Sequence, residues 1–572
     1  MKTGYPSIDK PWLKYYSEEV INAPLPKSSI YEIIRERNHD NLRRVAIDYY
    51  GKRITYKDLF DHIDSVSDSL AKLGIKRGDI VSICMLNSPE TIYLIYALNK
   101  IGAVANLISG LDSDKEIIEH IGNATSPILF TLDIFKTRIL SIIDKTNLKH
   151  VIVSNLTQSM PALTRFAARS FKKMKPKPIP SDKRFMSWEK FLSEKAVLPE
   201  QKGSPNDAAV ICYTGGTTGG SKGVVLSNKS ILAVAQQFIW RIEYSRDSLW
   251  VEILPLFIAY GAACALQIPL MVGMTVLVRL VGSASIGELC KKKPQYIMYG
   301  PAFWEQFVDE GKDIDLSFLV EGISGGDKLS EPVETKINAY FASHGSKSPI
   351  LNGYGMSEVA AAVSVNFAGA YEFGSVGVPL VKTIISAFDI DTGEELPIGE
   401  EGEICIHTPS VMTEYINNPE ETENIIRRHA DGKDWVHSGD LGYISKNGFV
   451  HISGRLKRYI LTKYNDIYKK VFSLDIEKVL LRHSSVNNCA VVPFQTGNEE
   501  EQAPCAFIVL KNGIVETDEL RADIIDYCNN NLDYIYQPKK FIFIQHFPLT
   551  KVGKIDYQLL EKMASTSERN ES

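Results

Sequence analysis

The densest chemistry in the sequence lies in one run, Tyr213-Thr-Gly-Gly-Thr-Thr-Gly-Gly-Ser-Lys-Gly223. Four glycines within six residues free the backbone to turn its N–H groups inward. Three threonine hydroxyls add donors, and Lys222 adds positive charge. Such a loop suits a polyphosphate. It follows the apolar run AAVIC and so leaves a strand. No glycine directly precedes Lys222, which excludes the P-loop pattern. There is no GxGxxG either, so a dinucleotide fold is not indicated. Alone, the run has a lesser alternative, a flexible Gly/Thr turn.

Five further motifs follow: ISGGDKL at 323–329, NGYGMSE at 352–358, HSGDLGY at 437–443, GRLKR at 454–458 and PLTKVGKID at 548–556. Each has an ordinary alternative. Asp440 could cap a turn. Glu358 could cap a following helix, for which SEVAAAV is suitable. Arg455, Lys457 and Lys554 could be solvated surface charges.

In order and spacing the motifs resemble the adenylate-forming (ANL) superfamily: AMP-forming acyl- and aryl-CoA synthetases, luciferases and the adenylation domains of peptide synthetases. The resemblance runs from about residue 30 to 562. It implies that Thr214, Thr217, Thr218 and Lys222, with Gly215 and Gly219 in the same loop, hold the β- and γ-phosphates of ATP. Gly325, Gly326 and Asp327 would border the adenine, and Tyr354, followed by Gly355, would stack on it. Ser357 stands where the family usually has Thr and keeps a hydroxyl for the α-phosphate. Glu358 would bind Mg2+, a hard cation that prefers oxygen ligands. Asp440 would accept from the ribose hydroxyls, and Arg455 would support ribose and phosphate. Lys554 would reach in from a small terminal domain. The catalytic set implied is Lys554, Glu358 and Thr217, with Lys457 as the hinge about which that domain turns between two half-reactions.

The chemistry implied has its own logic. A carboxylate is a poor electrophile; attack on the α-phosphorus of ATP gives an acyl adenylate and pyrophosphate. A positive group can meet the charge that builds on phosphate oxygens. A thiol, that of coenzyme A, then attacks the activated carbonyl and expels AMP. Rival readings are an acyl-AMP ligase that loads a carrier protein's phosphopantetheine, and a non-catalytic adenylate-binding protein. Besides Ser357, four departures from the family stand out. Ser221 replaces a usual Pro, and Gly215 an often-found Ser. In Pro255-Leu-Phe-Ile-Ala-Tyr-Gly261, Ile258 replaces a usual histidine or aromatic residue near the acyl pocket. After the hinge, LTKYNDIYKK lacks the glycines of the family's thiol-channel loop.

The elements that must position these residues read as α/β. Thr55-x-x-Asp58 and Ser113-x-x-Glu116 are capping boxes, and Ser88-Pro89 starts a helix with Pro in its first turn. IVSICML, AVANLI, PILFTL and HVIVS are strands between them. This rhythm predicts mostly parallel sheets flanked by helices. It belongs to a large N-terminal domain of several subdomains (1–454). NNCAVVPF, PCAFIVL and FIFIQ, with helices at LDIEKVLLRH and after Thr517, predict a small, mobile α+β domain (455–572).

Composition sets the outer limits. The 572 residues include 44% apolar and 23% charged side chains, which is ordinary for a globular chain and excludes a disordered or collagen-like one. A net charge of −5, from 64 basic and 69 acidic residues, gives no reason to expect a nucleic-acid partner. The eight cysteines lie far apart, with no CxxC, and are expected to be reduced thiols in a cytoplasmic protein. The start, MKTGYPSIDKPW, does not read as a signal peptide. Ile258–Val278 is uncharged over 21 residues but is interrupted by Gln267, Pro269 and Gly273. It predicts a buried helix, a turn at Pro269–Gly273 and a strand MTVLVRL rather than a membrane span. Residues 163–174 read as an amphipathic helix within a strongly basic stretch. That segment, 163–184, is either a surface helix leading into a loop or a foot on anionic lipid, peripheral to a membrane.

Overall fold

The computed structural model describes residues 3–170, 178–196, 202–214, 221–280, 286–311, 314–456, 459–464, 467–496, 502–511, 513–550 and 554–566. The chain forms two compact units. The first comprises 1–386, 405–437 and 444–450; the second comprises 387–404, 438–443 and 451–572.

The first unit is built on two large sheets. In the nine-stranded sheet, six strands run parallel, in the order Ile350–Tyr354, Glu321–Ser324, Tyr296–Tyr299, Leu249–Glu252, Thr275–Val278 and Val45–Tyr49. In the eight-stranded sheet, Ala208–Tyr213, Val104–Leu107, Ile80–Cys84, Ile128–Leu132, His150–Ser154 and Phe185–Ser187 are likewise parallel. Their continuous apolar runs suit strands covered on both faces. Both capping boxes form: Thr55 and Asp58 cap the helix Tyr56–Lys72, and Ser113 and Glu116 cap Asp114–Gly122. Ser88 caps the helix Pro89–Ile101, which left-handed Gly102 ends.

The apolar stretch from 258 is core, as expected, but its punctuation differs. A wide π-type turn, Tyr260–Ala265, runs into the helix Gln267–Val272, which contains Pro269. Proline is accepted in a helix's first turn because its missing N–H has no intrahelical partner there. Gly273, at φ 93°, is the actual stop, and Thr275–Val278 follows as a strand. Among the described residues no helix is long and apolar enough to cross a membrane. The basic segment begins as the helix Ala162–Ser170, with Leu163 86% and Phe166 77% exposed. Residues 171–177 lie outside the described residues.

The second unit carries a three-stranded sheet in which Val486–Gln495 pairs antiparallel and Lys540–Phe543 parallel with Gln502–Leu510. Alternation places Val491 and Ile508 in one cluster with Ile476 and Ile524. It places Val492 and Phe507 in another with Leu560 and Ala564. Helices Ser473–Leu480, Asp518–Asn530 and Tyr557–Thr566 thus cover both faces. All eight cysteines are free and buried.

Candidate active site

The Gly/Thr loop connects two antiparallel neighbours, Ala208–Tyr213 and Gly223–Ser227. Its neck is closed above the Tyr213–Gly223 pair, where the Thr214 N–H donates to the Lys222 carbonyl at 3.0 Å. Tyr213 is clamped below: its hydroxyl donates to Asn106 Oδ1 at 2.8 Å, and the His120 ring stacks on it at 3.6 Å. Gly215, Thr217, Thr218 and Gly219 lie outside the described residues, as does Lys457. Thr214 and Lys222 therefore mark where the loop is held.

Lys222 forms an ion pair with Glu421, and its ammonium stands 5.1 Å from the centre of the Tyr415 ring. Glu421 lies in the first turn of Pro419–Ile425, which Asn418 caps. Tyr415 belongs to the two-residue strand Glu414–Tyr415, which pairs with Val225 and Val224 beside the loop. Its hydroxyl donates to Glu358 Oε1 at 2.5 Å. Burial first, then the Glu358 charge, holds the Tyr415 phenol far above its ordinary pKa, so it stays a donor. The residue Tyr415 thus ties the neck of the loop to Glu358. Sequence reasoning missed Tyr415 and Glu421, because only the pairing of remote strands reveals them.

Glu358 does not cap a helix. Ser357–Val359 is a single 3-10 turn, and Ala360 and Ala361 then adopt φ of 55° and 93°. SEVAAAV has the composition of a helix, but the chain must double back so that Val363 can bond Tyr354. The Met412 N–H fixes the Glu358 carbonyl at 2.7 Å. At Gly355 an added Cβ would lie 1.7 Å from the Ala361 carbonyl oxygen, so this glycine is required by backbone packing. The Glu358 carboxylate is a hard oxygen donor held by one neutral hydroxyl, a donor set that fits Mg2+.

The remaining first-unit candidates line one edge of the nine-stranded sheet. Tyr299, Ser324 and Asn352 are neighbours across parallel strands. Gly325, Gly326 and Asp327 follow the second of these, and Tyr354, Gly355 and Ser357 follow the third. This is the carboxyl end of the strands, where open α/β sheets bind ligands. The Gly325 N–H donates to the Tyr299 carbonyl at 3.0 Å. A Cβ at Gly325 would meet the Tyr260 hydroxyl at 3.0 Å, and Gly326 needs its left-handed φ of 86°. Tyr260 is another residue the motifs did not single out. Tyr354 and Ser357 are half-buried.

In the second unit, Asp440 and Arg455 come together. Arg455 Nε lies 2.9 Å from Asp440 Oδ1, and Asp440 is nearly buried. The Asp440 N–H donates to Ser438 Oγ, and the Leu456 N–H donates to the Gly439 carbonyl. HSGD and GRLKR are thus one local structure. Lys554 is exposed at a turn in which the Thr550 N–H donates to the Lys554 carbonyl at 2.7 Å.

The family model described as AMP-binding enzyme matches residues 34–416, and that of the AMP-binding enzyme C-terminal domain matches 475–554. A long-chain-fatty-acid–CoA ligase of Bacillus subtilis (strain 168) is 28% identical over 565 residues, covering 96% of each chain. A 4-coumarate–CoA ligase of Solanum tuberosum is 26% identical over 90% of each. Among solved structures, the anthranilate CoA ligase AuaEII with anthranoyl-AMP has a TM-score of 0.78 at 21% identity, covering 95% of this chain and 99% of that one. ATP-bound MatB from Rhodopseudomonas palustris has a TM-score of 0.76 at 21% identity, covering 94% and 99%. These two share the fold: a large α/β domain of mostly parallel sheets with a smaller C-terminal domain. The match over 34–416, more than half of the chain, establishes that the protein belongs to the AMP-binding enzyme family, within the adenylate-forming superfamily.

Proposed function

We propose that the chain is an AMP-forming acid–thiol ligase that activates a carboxylic acid with ATP and transfers the acyl group to coenzyme A. Its family and its CoA-ligase relatives support this reading. The observation that carries it is the link from Thr214 and Lys222, through Tyr415, to Glu358. Anion-holding groups at the loop neck and a hard-oxygen donor are fixed together, as a polyphosphate with its counter-ion requires.

In this reading the 215–220 loop, with Thr217 and Thr218, holds the β- and γ-phosphates, and Lys222 joins them on leaving Glu421. Gly325, Gly326 and Asp327 border the adenine, Tyr354 stacks on it, and Ser357 bonds the α-phosphate. Asp440, already paired with Arg455, accepts from the ribose. A magnesium ion bound by Glu358 would neutralise phosphate charge. Lys554 stabilises the charge that builds as the carboxylate attacks the α-phosphorus and pyrophosphate leaves. Lys457 is the hinge between 1–454 and 455–572, so its substitution harms thioester formation more than adenylation. The buried stretch from 258 favours an acid with an apolar stem, a fatty or similar acyl group. The exposed Leu163 and Phe166 favour peripheral contact with anionic lipid, which liposome flotation tests.

Carboxylate-dependent ATP–pyrophosphate exchange across a panel of acids tests the first half-reaction. Thioester formation with CoA, against a phosphopantetheinylated carrier protein, tests the second. An absence of exchange with every acid would leave only a non-catalytic adenylate binder.

A further inference from the structure

A thiol and an imidazole meet on two neighbouring strands. Cys405 lies in Gly402–His407, and the next strand of that sheet, Asp434–Ile444, carries His437. The Cys405 sulfur is 3.5 Å from His437 Nδ1, across 32 residues of sequence, so no local spacing announces the pair. Glu403 stands two residues before Cys405, on the same face of its strand. The sulfur, a His437 ring nitrogen and a Glu403 carboxylate oxygen all lie within 4.8 Å of one another. Among the described residues this is the one group of three or more His, Cys, Asp or Glu side chains so arranged.

The separations suit a metal ion. Bonds of about 2.3 Å to sulfur and about 2.0 Å to nitrogen, meeting near the tetrahedral angle, set those two atoms about 3.5 Å apart. The far side of the His437 ring is held as well: its Nε2 lies 2.9 Å from His429 Nε2. With the proton on His437 Nε2, His429 accepts it, and His437 Nδ1 turns its lone pair toward Cys405. Metal-bound histidines are characteristically fixed in this way, through the second ring nitrogen. The Glu403 carboxylate is oriented too, Oε1 accepting from the Gly439 N–H at 3.0 Å. His429 directly follows the strand Ile426–Arg428, and its ring packs 5.9 Å from that of the fully buried Trp435. Cys405 is fully buried, whereas Glu403 and His437 are half-buried, which leaves an ion a way in from solvent.

We propose that Cys405, His437 and Glu403 bind a zinc ion that clips these two strands together, with His429 positioning His437 and water in the fourth tetrahedral place. A thiolate, an imidazole and a carboxylate form a donor set of borderline softness, which favours zinc over magnesium or calcium. The ligand is the thiolate, so binding releases the Cys405 proton to solvent. The site stands whether or not the chain is a ligase.

Cobalt(II) is the probe, because a thiolate ligand gives it a charge-transfer band and tetrahedral geometry gives it intense visible bands. The full-length protein is stripped of metal with a chelator, freed of the chelator and titrated. We expect equimolar Co2+ to produce both sets of bands, Zn2+ to abolish them, and excess Mg2+ to leave them unchanged. Cys405→Ser should lose the charge-transfer band. Cys405→Ser and His437→Asn should each bind Zn2+ more than about 100-fold more weakly, beyond what outer-shell changes cost, as read by competition with a chromophoric chelator. His429→Phe should keep the band and weaken binding about tenfold. Cys505→Ser, at a buried cysteine on another sheet, should match the wild type. Zinc should raise the melting temperature of the wild type and not that of Cys405→Ser. Should Cys405→Ser fail to fold, the half-exposed His437→Asn carries the comparison. A wild type that takes up no cobalt, or binding that survives in Cys405→Ser or His437→Asn, overturns the inference, and the thiol and imidazole then share no more than a hydrogen bond.

Discussion

The Tyr415 hydroxyl donates a 2.5 Å hydrogen bond to the Glu358 carboxylate, across 57 residues of sequence. Tyr415 is almost wholly buried, and its phenol stays protonated because desolvation and the carboxylate both oppose ionisation. Tyr415→Phe removes this one donor and leaves the ring in place. Hydrogen bonds to charged groups contribute about 2 kcal/mol. Urea unfolding should show a loss of that order, and pyrophosphate exchange should fall about tenfold. Unchanged exchange would show that Glu358 does not need Tyr415 to hold its orientation.

Lys554→Ala should lower pyrophosphate exchange by about 100-fold or more, the scale of losing one charge-stabilising donor. ATP binding, followed by calorimetry, should be mostly intact. Thioester formation from a pre-made acyl adenylate should persist. Normal exchange in this variant would remove Lys554 from the catalytic set.

In the proposed reading Glu421 competes with phosphate for Lys222. Both side chains are partly exposed, so the pair itself contributes little stability. Glu421→Gln should therefore leave the melting temperature nearly unchanged while tightening pyrophosphate binding about threefold. Titration calorimetry at low and high salt checks this, since the gain should shrink as ions screen it.

Burial raises the Glu252 carboxyl well above its ordinary value of 4.5. The unfolded chain gives up this proton first, so the folded state binds more protons above that pH. Stability from this group is complete below about pH 4.5 and declines as pH rises toward the folded-state value. Melting temperatures of wild type and Glu252→Gln, measured from pH 5 upward, should diverge in favour of the variant. Parallel curves would mean that burial does not raise this carboxyl.

Gly355→Ala should prevent correct folding of the 354–363 corner, since the new methyl would sit 1.7 Å from a carbonyl oxygen of the backbone. Gly369→Ala meets no atom within 4 Å but lies at φ 92°, so its cost is conformational alone, about 1 kcal/mol. Comparing expression yield and melting temperature of the two separates collision from backbone preference.

Local structure was largely readable. Thr55 with Asp58 and Ser113 with Glu116 cap helices because the signal lies within four consecutive residues. The apolar runs became parallel strands because burial on both faces leaves no alternation to misread. Most of the described first-unit motif residues lie at one sheet edge, and Asp440 pairs with Arg455. What stayed hidden depends on distance or on conflict. Tyr415 meets Glu358 only because Glu414–Tyr415 pairs with Gly223–Ser227, a register no local pattern encodes. SEVAAAV looked helical because propensity is local, whereas the return of Val363 to Tyr354 is not. Pro269 looked like a stop, and its place in the first turn of a helix shows why position matters more than residue type. Glu252 carries no motif; its complete burial is visible only in three dimensions.

The left-handed pair Ala360–Ala361 sits immediately beyond Glu358. Glycines would relax this corner, yet alanine confines it to far fewer backbone geometries. With Met412 gripping the Glu358 carbonyl and Tyr415 its side chain, the acid is mounted on a stiff bracket. In the proposed ligase, ligands then come and go at that carboxylate without the main chain following them, which gives the reaction one stationary reference point.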